Sequence, residues 1–195
     1  AEQLAGKLEF AASAILGRWA RHRITSIYVH AYRQSSTLLP STIEDLQWWL
    51  HRLRAKDKLQ RTILLAPDDR EPIIIYTDAH GKGGIGAIVC SPSKARILQW
   101  FATTCDPSID ASLNTRLTQI VMYEAIAIPL AIATWTSSLR GRKVIFFIDN
   151  QSALGAFRHG SSGASDLNKW VGLTHLLIHD LGIQPFWYWV PSAYN

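Results

Sequence analysis

The sequence predicts an α/β protein: a five-stranded mixed sheet with flanking helices, preceded by a small helical segment. Three observations carry this. Apolar residues in the front of the chain recur at helical spacing, short β-rich runs replace them from residue 73 onward, and the later elements follow the order strand, strand, strand, helix, strand, helix, strand. Long helical crossovers in that order return the fourth and fifth strands parallel to the first. The 195 residues are 48% apolar and 18% charged, so the chain can enclose a core and is too apolar for intrinsic disorder.

Leu4, Leu8, Ala11, Ile15 and Trp19 share one helical face and predict an amphipathic helix over 2–22. Ser41 and Glu44 have capping-box spacing, and Ile43, Leu46, Leu50 and Leu53 continue at steps of three and four, which predicts a second helix over 42–59. Residues 66–72 interrupt this pattern with Pro67, Pro72 and the charged run between them, so the domain boundary is placed there. A helical segment, 1–66, then precedes a sheet-bearing domain, 67–195. Strands are expected at 73–78, 84–90 and 95–101, joined by His80-Gly81-Lys82-Gly83 and Ser91-Pro92-Ser93-Lys94 turns. A helix over 113–139, a strand over 143–149, a helix over 164–181 and a strand over 186–190 complete the chain.

Charge is uneven. Residues 1–61 hold ten Lys/Arg against five acids, which is the whole net +5, and the remainder is balanced. Two readings stand side by side: contact with nucleic acid or with other protein subunits through residues 1–61, or an ordinary solvated helical surface. The longest apolar runs, such as 144–148, are too short to cross a bilayer, which argues against membrane insertion. Cys90 and Cys105 form no metal or disulfide pattern, and no signal sequence follows Ala1, so an intracellular, reducing compartment is expected.

The chemistry rests on three acids. Asp78 closes the first predicted strand and Asp149 the fourth, so parallel neighbours would bring both carboxylates to one edge of the sheet. A single such aspartate is ordinarily a cap or turn former, but two together, each ending an apolar run, point elsewhere. Glu124 lies on a helical face with Ile120, Val121, Ala127, Ile128 and Ala131, where a bare carboxylate must be paired, protonated or metal-bound. Three acids without cations invite an oxygen-preferring ion, Mg²⁺ or Mn²⁺, and two such ions suit phosphodiester hydrolysis.

The segments Tyr76-Thr77-Asp78-Ala79 with 83–89, Gln119-Ile120 with Tyr123-Glu124-Ala125, Phe147-Ile148-Asp149-Asn150 with Ala153-Leu154, and Trp189-Val190-Pro191-Ser192 with Asn195 resemble the ribonuclease H (RNase H) domains of retroelement reverse transcriptases, DIRS-like or related. Residues 4–8 and 44–50 resemble the thumb and connection that precede such domains. The resemblance implies that Asp78 bridges two metal ions, Glu124 holds one and orients water, Asp149 holds the other, and the substrate is the RNA strand of an RNA/DNA hybrid. The family usually adds a His or basic residue and a fourth metal-binding Asp after the Trp-Val-Pro-Ser stretch. Here Ala193 stands where His is common and the given residues contain no such Asp, so the RNase H-like domain is C-terminally incomplete; Pro129 and His80 are further departures. Two functions follow: hydrolysis of hybrids by a fragment of a reverse transcriptase, or a catalytically weak, domesticated structural or RNA-binding subunit.

Weaker signals have plainer readings. His175 and His179 lack the Glu of a zinc-binding helix and read as surface residues. The Asn150-Gln151-Ser152 sequon overlaps the proposed active edge, and Trp187-Tyr188-Trp189 reads as alternating core and surface positions of a strand. Of Trp48 and Trp49, adjacent on a helix, one is expected to meet another module or chain.

Overall fold

The computed structural model describes residues 2–13, 17–33, 36–55, 69–93 and 96–195. In front lie α1 (Glu2–Ala11), a 3₁₀ segment (Gly17–Arg23), α2 (Thr25–Arg33) and α3 (Pro40–Arg54). The body follows as β1 (Ile73–Ala79), β2 (Gly84–Ser91), β3 (Arg96–Thr104), α4 (Pro107–Ala111), α5 (Ile120–Thr134), α6 (Thr136–Leu139), β4 (Lys143–Ile148), α7 (Gln151–His159), α8 (Ser165–Asp180) and β5 (Gln184–Trp189). A 3₁₀ turn at Ser192–Tyr194 follows β5. The sheet order is β3-β2-β1-β4-β5, with β1–β2 and β2–β3 antiparallel and β1–β4 and β4–β5 parallel, as the order of elements predicts. The proposed boundary at 66/67 lies outside the described residues.

The front differs from the reading of its periodicity. The helix expected over 2–22 is two pieces, and its buried line is Ala5, Leu8 and Ala12, while Leu4 is exposed. The expected capping box is not used: Pro40 takes the first helical position, where its fixed φ and missing N–H cost nothing, so α3 starts before Ser41. Its buried face is Thr42, Asp45 and Trp49, whereas Ile43, Leu50 and Leu53 are exposed. Asp45 can be inside because Arg23 (2.9 Å) and Ser26 Oγ (2.6 Å) donate to it. Trp48 and Trp49 both join one cluster: Trp49 is buried, and Trp48 meets Trp19 edge-on with centroids 5.3 Å apart.

This front is fastened to the body along α8. The Trp19 ring stacks on His179 at 4.8 Å, Asn168 Nδ2 donates to the His22 carbonyl (2.8 Å), and Leu176 packs into the front core. Two glycines make the approach possible. A Cβ on Gly172 would fall 2.3 Å from the His22 ring, and one on Gly160, whose φ is +82°, would fall 2.8 Å from the Arg18 carbonyl oxygen. His175, expected on the surface, is buried here and donates from Nε2 to the Phe157 carbonyl (2.9 Å). Its period on α8 is that of the body-facing side, which also receives Val171 and Ile178.

In the body, α5 is buried almost all round from Met122 to Pro129, because it packs on β1 and β2 below and on α7 and α8 beside it. The helix expected over 113–139 is therefore shorter. Residues 112–119 form a loop held by Asp166, which accepts from Asn114 N (2.9 Å) and takes both terminal nitrogens of Arg116. That bidentate pair holds the Asp166 carboxyl down at about 2. Pro129 stays inside α5, buried, and the helix runs through it.

Among the described residues, the helices cover one face of the sheet. On the other, the strand registers align two apolar rows across all five strands: Ile97, Cys90, Ile74, Ile145, Phe186, and Trp100, Ile88, Tyr76, Phe147, Tyr188. Their outer members, Ile97, Trp100, Phe186 and Tyr188, remain 44–70% exposed.

Two measurements test this packing. Gly160→Ala introduces both a strained φ and a backbone clash, and is expected to cost about 1–3 kcal/mol in chemical denaturation. Gly155→Ala, in α7 with nothing within 4 Å of the added carbon, is expected to stabilise by about 0.5–1 kcal/mol. Burial lowers His175 from 6.5 to about 4, with Arg18 adding to the effect, and lowers His22 likewise, with Arg23 adding. Below pH 6.5 the unfolded chain takes up protons that the folded chain refuses until about pH 4, so the contribution of these two histidines is full above pH 6.5 and is lost as pH falls through that window. At pH 5.5 His175 alone accounts for a loss on the order of 1 kcal/mol, and His175→Gln, which keeps a donor for Phe157, is expected to flatten its share of the decline of melting temperature with acid.

Candidate metal centre

The register between β1 and β4 ends at Tyr76 and Phe147. Beyond it the two strands diverge, at the place where β1 connects to one side of the sheet and β4 to the other, the switch point at which α/β sheets open a crevice. His80 N donates to Gly84 O, so by alternation Thr77 and Ala79 turn their backbone groups away from β2 and toward this crevice. Side chains claim them: Glu124 Oε1 accepts from Ala79 N (2.8 Å), and Asn195 Nδ2 donates to Thr77 O (2.7 Å).

Asp78, Glu124 and Asp149 meet in the crevice, each offering one carboxylate oxygen within 4.8 Å of the others. They come from β1, α5 and the end of β4, and all three acids predicted for the site are brought together. Asp78 is exposed at the mouth, Asp149 is half-buried, and Glu124 forms the floor, buried on the largely apolar α5. Asp149 is held from one side: Trp189 Nε1 donates to its carbonyl (3.0 Å) and Ser192 Oγ to Oδ2 (2.7 Å). Asn150, the residue of the sequon, caps α7 by accepting from Ala153 N (3.0 Å). The hairpin beside Asp78 is tight, as its glycines suggest. Gly83 has φ +85°, and the His80 ring occupies the space a Cβ on Gly84 would need.

The electrostatics single out Glu124. Asp45 and Asp166 are also buried, and each has an arginine. Glu124 has only the Ala79 amide, and its Oε2, like Asp149 Oδ1, is buried without a hydrogen-bond partner among the described residues. Burial, then the charges of Asp149 and Asp78, push the Glu124 carboxyl up to about 8, against the Ala79 bond. Three clustered carboxyl groups with two buried, unused oxygens, one of them on a carboxyl that gives up its proton only near pH 8 unless a cation arrives, fit a divalent, oxygen-preferring ion. Arg116, the nearest arginine before it in sequence, is turned to Asp166 instead. Ser192 and Trp189 escape a reading of the sequence as partners of Asp149, since nothing in their spacing marks the fold-back that brings them to it.

No protein-family model matches the chain, and no curated protein sequence matches it. Solved structures do. The N-terminal RNase H domain of Rv2228c from Mycobacterium tuberculosis, solved as a fusion with maltose-binding protein, aligns at 17% identity over 65% of this chain and 86% of its own, with TM-score 0.50. RNase H1 from the archaeon Halobacterium salinarum aligns at 16% identity over 64% of this chain and 89% of its own, also with TM-score 0.50. The fold is RNase H-like. A foamy viral protease–reverse transcriptase in complex with dsDNA aligns over 87% of this chain and 33% of its own at 10% identity, with TM-score 0.44, a likeness that supports no further inference.

Glu124→Gln separates the electrostatic account from simple packing. The amide keeps the shape and the acceptor for Ala79 N while removing a charge that burial disfavours. Because the folded carboxyl titrates near 8 rather than 4.5, the wild type loses stability as pH rises between those values. The variant's melting temperature in chelator is therefore expected to equal the wild type's near pH 4.5 and to exceed it by several degrees at pH 8, while the upward shift with added Mn²⁺ disappears.

Proposed function

We propose that the chain is an RNase H-type nuclease, part of a reverse transcriptase, that hydrolyses the RNA strand of RNA/DNA hybrids at a two-metal site held by Asp78, Glu124 and Asp149. The observation that carries this is the convergence of the three carboxylates in the crevice, with Glu124 buried and without a cation among the described residues. The RNase H-like sheet supports the reaction class, and the sequence pieces around the three acids support the reverse-transcriptase setting. Bound Mg²⁺ or Mn²⁺ ions supply Lewis-acid activation of water and of the phosphodiester. The chain's own residues do the rest. Glu124, fixed through Oε1 by the Ala79 amide, presents Oε2 at the floor; exposed Asp78 stands where a phosphate can reach it; and Asp149 closes the third side.

Basic residues of the front are proposed to add non-specific affinity for the hybrid, though part of that charge is spent internally: Arg23 pairs with Asp45, Arg21 with Glu9 at 3.0 Å, and Arg52 lies over the Trp19 and Trp48 rings. A second reading, a structural or RNA-binding subunit, is favoured by one observation: three carboxylates, not four, form the cluster among the described residues. Three acids offset less of the cost of stripping water from a second ion, and Mg²⁺ dehydrates reluctantly.

The test is cleavage of a labelled RNA/DNA hybrid by the chain and by Asp78→Asn, with each ion. Weak cleavage with Mg²⁺, stronger cleavage with Mn²⁺ and reduction to background in Asp78→Asn are expected. Hybrid binding with no Asp78-dependent cleavage under either ion would reject the enzyme in favour of the binding subunit.

A further inference from the structure

We infer that Ser192 is a positioning residue of the metal centre: its hydroxyl fixes the rotation of the Asp149 carboxylate so that one oxygen is kept for the ion. This rests on the metal-binding reading of the three acids. A carboxylate on a short side chain rotates about its last bond and exchanges its two oxygens. The Ser192 Oγ–H donates to Oδ2 at 2.7 Å, which occupies that oxygen and leaves Oδ1 buried without a partner.

The segment carrying Ser192 is itself fixed on both sides of the crevice. Trp189 Nε1 donates to the Asp149 carbonyl (3.0 Å), so the end of β5 grips the backbone of the residue whose side chain Ser192 grips. Asn195 Nδ2 donates to Thr77 O (2.7 Å), tying the far end of the segment to β1 one residue before Asp78. The hydroxyl thus reaches Asp149 from a short arch anchored to both acid-bearing strands. An ordered donor to a ligand's second oxygen is what sets carboxylate geometry around an ion.

A merely structural hydroxyl would tie the arch down without affecting the ion, and the two roles separate experimentally. Ser192 is exposed, so Ser192→Ala removes the donor without opening a cavity, and Ser192→Thr retains it. Mn²⁺ affinity is measured by titration calorimetry on the whole chain, alongside the melting temperature in chelator. Wild type is expected to bind Mn²⁺ with an affinity that Asp78→Asn destroys. Ser192→Ala is expected to weaken binding roughly 10-fold while melting with the wild type, and Ser192→Thr to restore it. Unchanged Mn²⁺ affinity in Ser192→Ala, or a lowered melting temperature with unchanged affinity, overturns the positioning role and leaves the metal centre standing. Absence of Asp78-dependent Mn²⁺ binding in the wild type overturns both.

Discussion

The parting of β1 from β4 after Tyr76 and Phe147 is the constraint on which the candidate site depends. While the strands are paired, their backbone groups satisfy each other and leave nothing for side chains to do. Once they separate, the carbonyl of Thr77 and the amide of Ala79 need partners, because buried backbone groups left unpaired cost free energy comparable to a lost hydrogen bond. The chain supplies an amide from Asn195 and a carboxylate from Glu124. The same event therefore opens the crevice, draws a charged side chain into it from α5 and fixes one of its oxygens. Asp78 and Asp149 arrive because they end the two strands that separate.

The chain treats its buried acids in two ways. Asp45 and Asp166 are each neutralised by an arginine, and each ties together elements distant in sequence: Asp45 joins α3 to the 3₁₀ segment and α2, and Asp166 joins α8 to the loop before α5. Glu124 lies on the most apolar helix of the body and receives no such partner among the described residues. Breaking a buried pair is costly because it strands a charge, and Glu124, with no such pair among the described residues, instead holds its proton up to about pH 8. That contrast within a single chain gives the unpaired carboxylate its meaning.

Much of this was legible in the sequence, and the rest was hidden for identifiable reasons. The five strands show because β-rich runs are bounded by Gly, Pro and Ser turns. The convergence of the acids shows because strand ends and parallel pairing fix where Asp78 and Asp149 must lie. Helix ends were harder: residues 112–119 carry no breaker, and they are held in a loop by the remote Asp166 together with bonds of Gln119 and Arg116 to the Asn114 carbonyl. The short α7 was missed because its Asn150 cap reads equally well as a sequon or as site chemistry. In the front, helical periodicity misleads about which face is inside, since Asp45 and Thr42 are buried by side-chain and backbone partners while Ile43, Leu50 and Leu53 are left out. His175 reads as polar surface until the Phe157 carbonyl is seen beside it.

The two apolar rows on the sheet face opposite α5 have a consequence in heat capacity. Unfolding raises heat capacity mainly by hydrating apolar surface, and for an average chain of this length the increment is about 2.3–2.9 kcal/mol/K. Here the outer members of both rows, Ile97, Trp100, Phe186 and Tyr188, are already hydrated in the folded state and add little to that increment. Each such side chain left hydrated takes a little from the increment and so flattens the stability curve slightly. A partner seated on that face would bury these side chains and associate with a negative change in heat capacity.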